Sequence, residues 1–306
     1  MTILILGGNG QVGRELHRTL APLDPLVIAT RDGRLANGDA CEIADLAQPD
    51  TLPALLVRVA PTIIVNAAAH TAVDRAESEP ELAHRINGEA VGVIARWAAA
   101  HDVLMVHYST DYVFGGTGTR PWREDDATAP LGAYGASKLI GEQALRASGA
   151  HHMLFRTAWV YAAHGHNFLK TMLRLGAERE QLGVIDDQHG TPTPANLIAE
   201  VTATALRQWQ AADAVGHAVR EGTFHLVADG DTTWCGFARA IMQRAVTRGL
   251  LARAPAVNAI PSSAYPLPAQ RPTWSVLDTT RLRNTFGIDL PHWTVGLDHV
   301  LAELAS

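Results

Sequence analysis

A four-residue apolar run, Ile3-Leu4-Ile5-Leu6, breaks directly into Gly7-Gly8-Asn9-Gly10-Gln11-Val12-Gly13, and no other feature constrains the chain as tightly. The run is too short for a helix face and reads as a buried parallel strand. Helical periodicity follows from Arg14 to Leu20. Gly8, Gly10 and Gly13 fit GxGxxG, while Gly7, Gly10 and Gly13 fit the looser GxxGxxG, and both framings stay open. In either frame the missing side chains permit a tight turn, close approach of backbone to a pyrophosphate, and close helix–strand packing. A helix N-terminus adds free N–H groups and a positive dipole end. The strand–loop–helix order therefore predicts a dinucleotide site with Gly7, Gly10, Gln11, Val12 and Gly13 on the phosphate side.

The same alternation continues. Leu26-Val27-Ile28-Ala29, Thr62-Ile63-Ile64-Val65-Asn66, the run from Val103 to Tyr108 and Met153-Leu154-Phe155-Arg156 read as further strands. Helical patterns fill 50–60, 81–100 and 133–147 between them. This βαβ rhythm predicts an α/β fold, a doubly wound parallel sheet of Rossmann type that binds ligands at the carboxyl ends of its strands. After Trp159 the rhythm breaks. Helices are expected over 168–179 and 195–212, a short strand at 224–227, a capped helix start at 231–234, and extended proline-rich chain over 255–272. The expected division is a dinucleotide-binding domain over 1–160 and a smaller substrate-binding lobe over 161–306, with the 195–212 helix returning to the first.

Composition narrows the function classes. Hydrophobic residues at 47% and charged residues at 18% are the balance of a soluble globular enzyme rather than a disordered chain. A net charge of -6 without a basic run argues against nucleic acid as a partner. Cys41 and Cys235 lack CxxC spacing, so neither a disulfide framework nor a zinc site is expected. The fourteen histidines include no HExxH-like spacing, and no metal ligands are assigned. No secretory pattern is visible, and Arg96, His101 and Asp102 interrupt the apolar stretch from Val91 to Val106, so a cytoplasmic protein without a membrane span is expected.

Tyr134 and Lys138 carry the chemistry. Four residues apart, they share one helix face. A phenol beside an ammonium is a proton donor whose pKa can fall from about 10. Alone the spacing is weak; beside a dinucleotide signature it points to redox chemistry on a carbonyl or alcohol. Ser109-Thr110-Asp111 follows the predicted 103–108 strand and should face the reacting end of the cofactor, with a capped turn as the bland alternative. Asn66-Ala67-Ala68-Ala69-His70-Thr71 follows another strand, and its small side chains would admit adenine and ribose. Asp45-Leu46 is a candidate adenine neighbour, with a helix cap as the competing reading.

Together these segments resemble the extended short-chain dehydrogenase/reductase superfamily, and within it the dTDP-4-dehydrorhamnose reductase family. The resemblance runs through Val65 to Asp74 with Ala76-Glu77, His107 to Phe114, Phe155 to Tyr161, Asn167-Phe168 with Thr171-Met172, and Ala264-Tyr265-Pro266 with Arg271-Pro272 and Ser275. It implies NAD(P)H-dependent reduction of the C4 keto group of a dTDP-linked sugar. Tyr134 would then be the general acid, Lys138 would bind the nicotinamide ribose and lower the tyrosine pKa, and Thr110 would bond the carbonyl oxygen. Val73, Asp111 and Trp159 would line the sugar, and Arg271 and Asn167 would hold the diphosphate. Ala69, His70 and Thr71 would line the cofactor. Where relatives place an acid for the adenine ribose, this chain has Thr30-Arg31 followed by Asp32, which favours NADPH while leaving NADH usable. Some relatives are linked to a divalent cation such as Mg2+, but no complete ligand set carries over. A monomer and a homodimer are both compatible with the sequence.

Two other readings compete. A nucleotide-sugar 4,6-dehydratase would need Asp-Glu after the threonine, whereas Asp111 is followed by Tyr112; a 4-epimerase would have to retain its cofactor. A non-catalytic, dinucleotide-sensing subunit would have no chemical need for Thr110, Tyr134 and Lys138.

Overall fold

A computed structural model describes every residue from Met1 to Ser306. Its centre is a seven-stranded, all-parallel sheet built from β1 (Ile3–Leu6), β2 (Leu26–Thr30), β3 (Glu42–Ile43), β4 (Ile63–Asn66), β5 (Leu104–Thr110), β6 (His152–Thr157) and the edge strand Gly222–His225. From one edge to the other the order is Gly222–His225, β6, β5, β4, β1, β2, β3. β1 pairs with both β2 and β4, with Ile3 opposite Leu26 on one side and Ile63 on the other. The order reverses there, so the β1/β4 boundary is the topological switch point at which such sheets bind ligands.

Side-chain alternation sorts each buried strand into two cores. Ile3, Ile5, Ile63, Val65, Leu104, Val106, Met153 and Phe155 feed one cluster of 40 buried residues. Leu4, Leu6, Ile64, Met105 and Leu154 feed the other, of 19. Helices cover both faces, which is why the strands read as unbroken apolar runs. No helix is long and apolar enough to cross a membrane.

The larger core also takes in Leu197, Phe237 and Leu301, so the chain after 160 packs on the sheet rather than beside it. Ala195–Gln210 lies along the helix Gln11–Leu20. The strand expected in the second lobe is instead the seventh strand of the main sheet, with Phe224 opposite Phe155. What leaves the sheet is smaller: Gln181–Ile185 pairs in parallel with Ala256–Ile260, giving the proline-rich stretch a partner that its composition did not reveal.

Two local departures bear on the site. The helix expected over 81–100 contains a π-helical turn, Arg85–Glu89, that brings buried Asn87 inward. β5 also runs on through Ser109 and Thr110, so these two end the strand rather than follow it.

Candidate active site

Because the sheet is parallel, the chain leaves every strand at one rim. Gly7 after β1, Thr30 at the end of β2, Ala67–Thr71 after β4, Thr110 at the end of β5 and Trp159 after β6 all stand there.

The glycine loop is shaped for a close ligand. Gly7 adopts φ +86°, and a Cβ on it would meet the Ala68 backbone nitrogen at 2.7 Å. Gly13 presses its α-hydrogen face onto the Gly7 carbonyl, where a side chain would collide. These contacts favour the GxxGxxG frame, in which Gly7 is the residue that must be glycine. Gly10 begins the helix Gln11–Leu20 without any side-chain cap, which leaves the N-terminal N–H groups for an anion. The cradle fits a dinucleotide pyrophosphate. Across the crevice Asn87 pins the second wall, accepting from His70 N–H at 2.8 Å and donating to His70 O at 3.0 Å. Its amide also donates to Ser137 Oγ at 2.9 Å, tying that wall to the helix Ala133–Ala147. Asn87 was missed because it sits among polar neighbours, His84-Arg85-Ile86-Asn87-Gly88-Glu89, that mark it no differently from a solvated helix face. Ala69 stands half-buried beside His70, while Thr71 is exposed.

Tyr134 opens that helix, whose first N–H, on Ala133, is capped from outside by Glu77 Oε1 at 2.8 Å. Gly135 lies against the Tyr112 carbonyl with no room for a Cβ, which brings Tyr134 to the end of β5. Thr110 Oγ1 donates to Asp111 Oδ1 at 2.9 Å and accepts from Tyr112 N–H at 3.2 Å. Burial pushes the Tyr134 phenol up to about 12; the Thr110 hydroxyl pulls the other way, and the Asp111 charge adds to the rise. The expected lowering by Lys138 is therefore absent from this arrangement. Lys138 is turned elsewhere: its Nζ donates to Tyr108 O at 2.6 Å and lies 3.3 Å from His107 Nε2. Burial brings Lys138 down to about 8, with Glu142 one turn on opposing. Burial also raises Asp111 to about 6, against the Ser275 and Thr110 hydroxyls.

Val73, Tyr112, Leu131, Tyr134, Ala269 and Pro272 line a small crevice in front of the phenol. Trp159, assigned to the sugar, holds φ +48°, an uncommon conformation for a non-glycine residue that concentrates at ligand sites. Its ring stacks on Trp234 at 3.5 Å between centroids and 7° between planes, so one face is already covered. Trp234 was not singled out from the sequence.

Four of the candidate side chains are engaged within the chain. Arg271 was placed on a diphosphate, but its guanidinium spans Asp74 with bonds of 3.0 and 2.8 Å. Asn167 was placed there too, yet its amide donates to Gln11 Oε1 and Ala162 O at 2.8 Å each, and its carbonyl caps Lys170 N–H at 3.0 Å. It fastens the helix Phe168–Glu178 to the glycine-loop helix and has no donor left over. Thr30 is buried, donating to Asp32 Oδ1 at 3.0 Å and accepting from Arg34 N–H at 3.1 Å, so its hydroxyl is spent inside the loop. Asp45 holds a turn through Ala47 N–H and Gln48 and caps neither of the helices that follow, while Leu46 is buried in the smaller core. Arg31 remains exposed at the rim. No group of three or more His, Cys, Asp or Glu side chains is arranged to hold a metal ion.

The family described as RmlD substrate binding domain matches residues 1–306. The dTDP-4-dehydrorhamnose reductase of Escherichia coli (strain K12) is 47% identical over 304 residues, 99% of this chain and 98% of that one. The chain belongs to the dTDP-4-dehydrorhamnose reductase family. Among solved structures, the family member from Clostridium acetobutylicum superposes with a TM-score of 0.88 at 32% identity, covering 100% of both chains. The dTDP-4-dehydrorhamnose reductase of Bacillus anthracis, solved in complex with NADP, gives 0.85 at 30% identity, covering 99% of each.

Proposed function

We propose that this chain reduces the C4 keto group of dTDP-4-dehydro-L-rhamnose to give dTDP-L-rhamnose, using NADPH and accepting NADH. The observation that carries the reading is the convergence of Tyr134, Thr110 and Asp111 at the rim where the glycine loop forms its anion cradle. The reduced nicotinamide supplies the hydride. Gly7, Gly10 and Gly13 hold its pyrophosphate, Ala69, His70 and Thr71 flank its adenosine side, and Lys138 serves its ribose. Tyr134 keeps its proton at any ordinary pH and gives it to the C4 oxygen. Thr110 orients that hydroxyl, and Val73, Asp111 and Trp159 bound the sugar. The segments after Tyr161 that leave the sheet form the substrate side.

The test is NADPH oxidation, followed by its near-ultraviolet absorbance, with dTDP-4-dehydro-L-rhamnose present or withheld. Turnover only with the dTDP-linked keto sugar supports the assignment; none with saturating cofactor and substrate rejects it.

A further inference from the structure

His107 lies in the middle of β5 with no exposed surface, between Asn66 and Lys138. Nothing in the chemistry above uses it. A polar ring at such a position must have its hydrogen bonds made, and their directions can be worked out in order.

The order starts at a backbone donor. Ala68 N–H donates to Asn66 Oδ1 at 3.1 Å, which fixes which way the amide faces. Asn66 Nδ2 is then the atom 3.2 Å from His107 Nδ1, and an amide nitrogen can only donate. Nδ1 must accept, so the imidazole carries its proton on Nε2. That N–H faces Lys138 Nζ at 3.3 Å. An ammonium has three donors and no lone pair and cannot receive it; an amine can. The amine also keeps a hydrogen for Tyr108 O at 2.6 Å.

We propose that Asn66 fixes the His107 tautomer so that His107 grips Lys138 by its lone pair, making His107 the positioning residue that governs when Lys138 carries charge. The surrounding groups agree with this. Glu142 faces Lys138 from its own helix, and His107 and Tyr108 from β5. Glu142, the one anion among them, is bound by Arg156 of β6 at 2.9 and 2.7 Å and by Arg146 at 3.0 Å. Its charge is largely spent. Burial holds His107 well below the usual histidine range, and a charge on Lys138 would lower it further against the pull of the Asn66 backbone, so the ring is neutral in either state of Lys138. Burial lowers Lys138 in the same sense as the grip does.

The consequence rests on the reading of Lys138 as the residue that serves the cofactor ribose. When Lys138 takes up a proton to do so, His107 must release the lone pair, so ligand capture and proton uptake are linked at this pair.

The experiment uses a feature of the chain itself: Lys138 and Lys170 are its only lysines. In the Lys170→Arg protein, isotope-labelled lysine gives a single side-chain signal, and labelled histidine reports the protonated ring nitrogen by NMR. The expected parent shows the His107 proton on Nε2 and a Lys138 midpoint near 8. Asn66→Asp puts an acceptor opposite Nδ1; the proton should move there and the Lys138 midpoint rise by about one unit or more. His107→Gln, whose amide can accept from Asn66 and donate to Lys138, should leave the midpoint where it was. A parent protein with the proton on Nδ1 overturns the proposal, as does a Lys138 midpoint that Asn66→Asp leaves in place. Neither measurement needs turnover, so NADPH oxidation tests the reductase reading separately.

Discussion

Arg271 and Asp74, 197 positions apart, form a bidentate pair at 3.0 and 2.8 Å that ties the late 269–272 segment to the helix Val73–Ser78. Asp74 also accepts from Ala269 N–H at 3.2 Å. The pair thus builds one wall of the crevice in front of Tyr134. Arg271→Ala and Asp74→Ala should raise KM for the dTDP-linked sugar by similar factors, and the double variant should be no worse than either, because all three break one interaction. Steady-state KM values for the four proteins decide this. A rise in Arg271→Ala about tenfold beyond that of Asp74→Ala would put the guanidinium on the substrate itself.

Tyr134→Phe removes the proton donor and keeps the ring against Tyr112, which it meets edge-on at 5.9 Å. General acid catalysis is worth roughly 10²–10⁴-fold, so kcat should fall by that order while cofactor affinity holds. Binding of NADPH measured by fluorescence, set beside single-turnover rates, separates the two. Unchanged turnover removes Tyr134 from the chemistry.

The alkaline limb of the rate profile should belong to Lys138. The phenol, raised to about 12, stays protonated through the working range. Lys138, lowered to about 8, loses its charge as pH rises through that value. kcat/KM for NADPH, which reports the free enzyme, should therefore fall above about pH 8, and Lys138→Met should abolish the limb along with most of the affinity. A limb that survives in Lys138→Met assigns it to another group.

Asp111 should make the fold less stable at neutral pH than at acid pH. Its folded carboxyl is raised from 3.8 to about 6. Between those values the folded protein holds a proton that the unfolded chain has released. The contribution is complete below the unfolded value and is lost as pH rises through the folded one. Asp111→Asn removes this dependence, and the gap between the two proteins should change by about 2–3 kcal/mol across the window. Urea unfolding at acid and neutral pH measures it; parallel curves refute it.

Cofactor preference should rest on Arg31 and not on Thr30. Arg31 is exposed, whereas the Thr30 hydroxyl is engaged by Asp32 and Arg34. A charge-assisted contact to the 2′-phosphate is worth about 1–3 kcal/mol, so Arg31→Ala should reduce a preference for NADPH roughly tenfold and spare NADH. Thr30→Val should lower stability and leave the ratio of kcat/KM values unchanged. An NADH preference in the parent protein would mean that Arg31 never meets the phosphate.

The strand Ile3–Leu6, the glycine turn and the helix carrying Tyr134 and Lys138 were legible because their signals are local. A buried parallel strand must be apolar throughout, a positive-φ position demands glycine, and a spacing of four puts two side chains on one helix face. The parallel sheet then follows, and it brings the strand ends to one rim. Partner choice was not legible. Whether Arg271 meets a diphosphate or Asp74, whether Asn167 meets a ligand or Gln11, and whether Lys138 faces Tyr134 or His107 depend on residues up to 197 positions away. Local spacing says what a side chain can bond. Only the packed sheet and its helices decide which partner sits within three ångströms of it, because a buried polar group takes whatever complement the tertiary structure supplies.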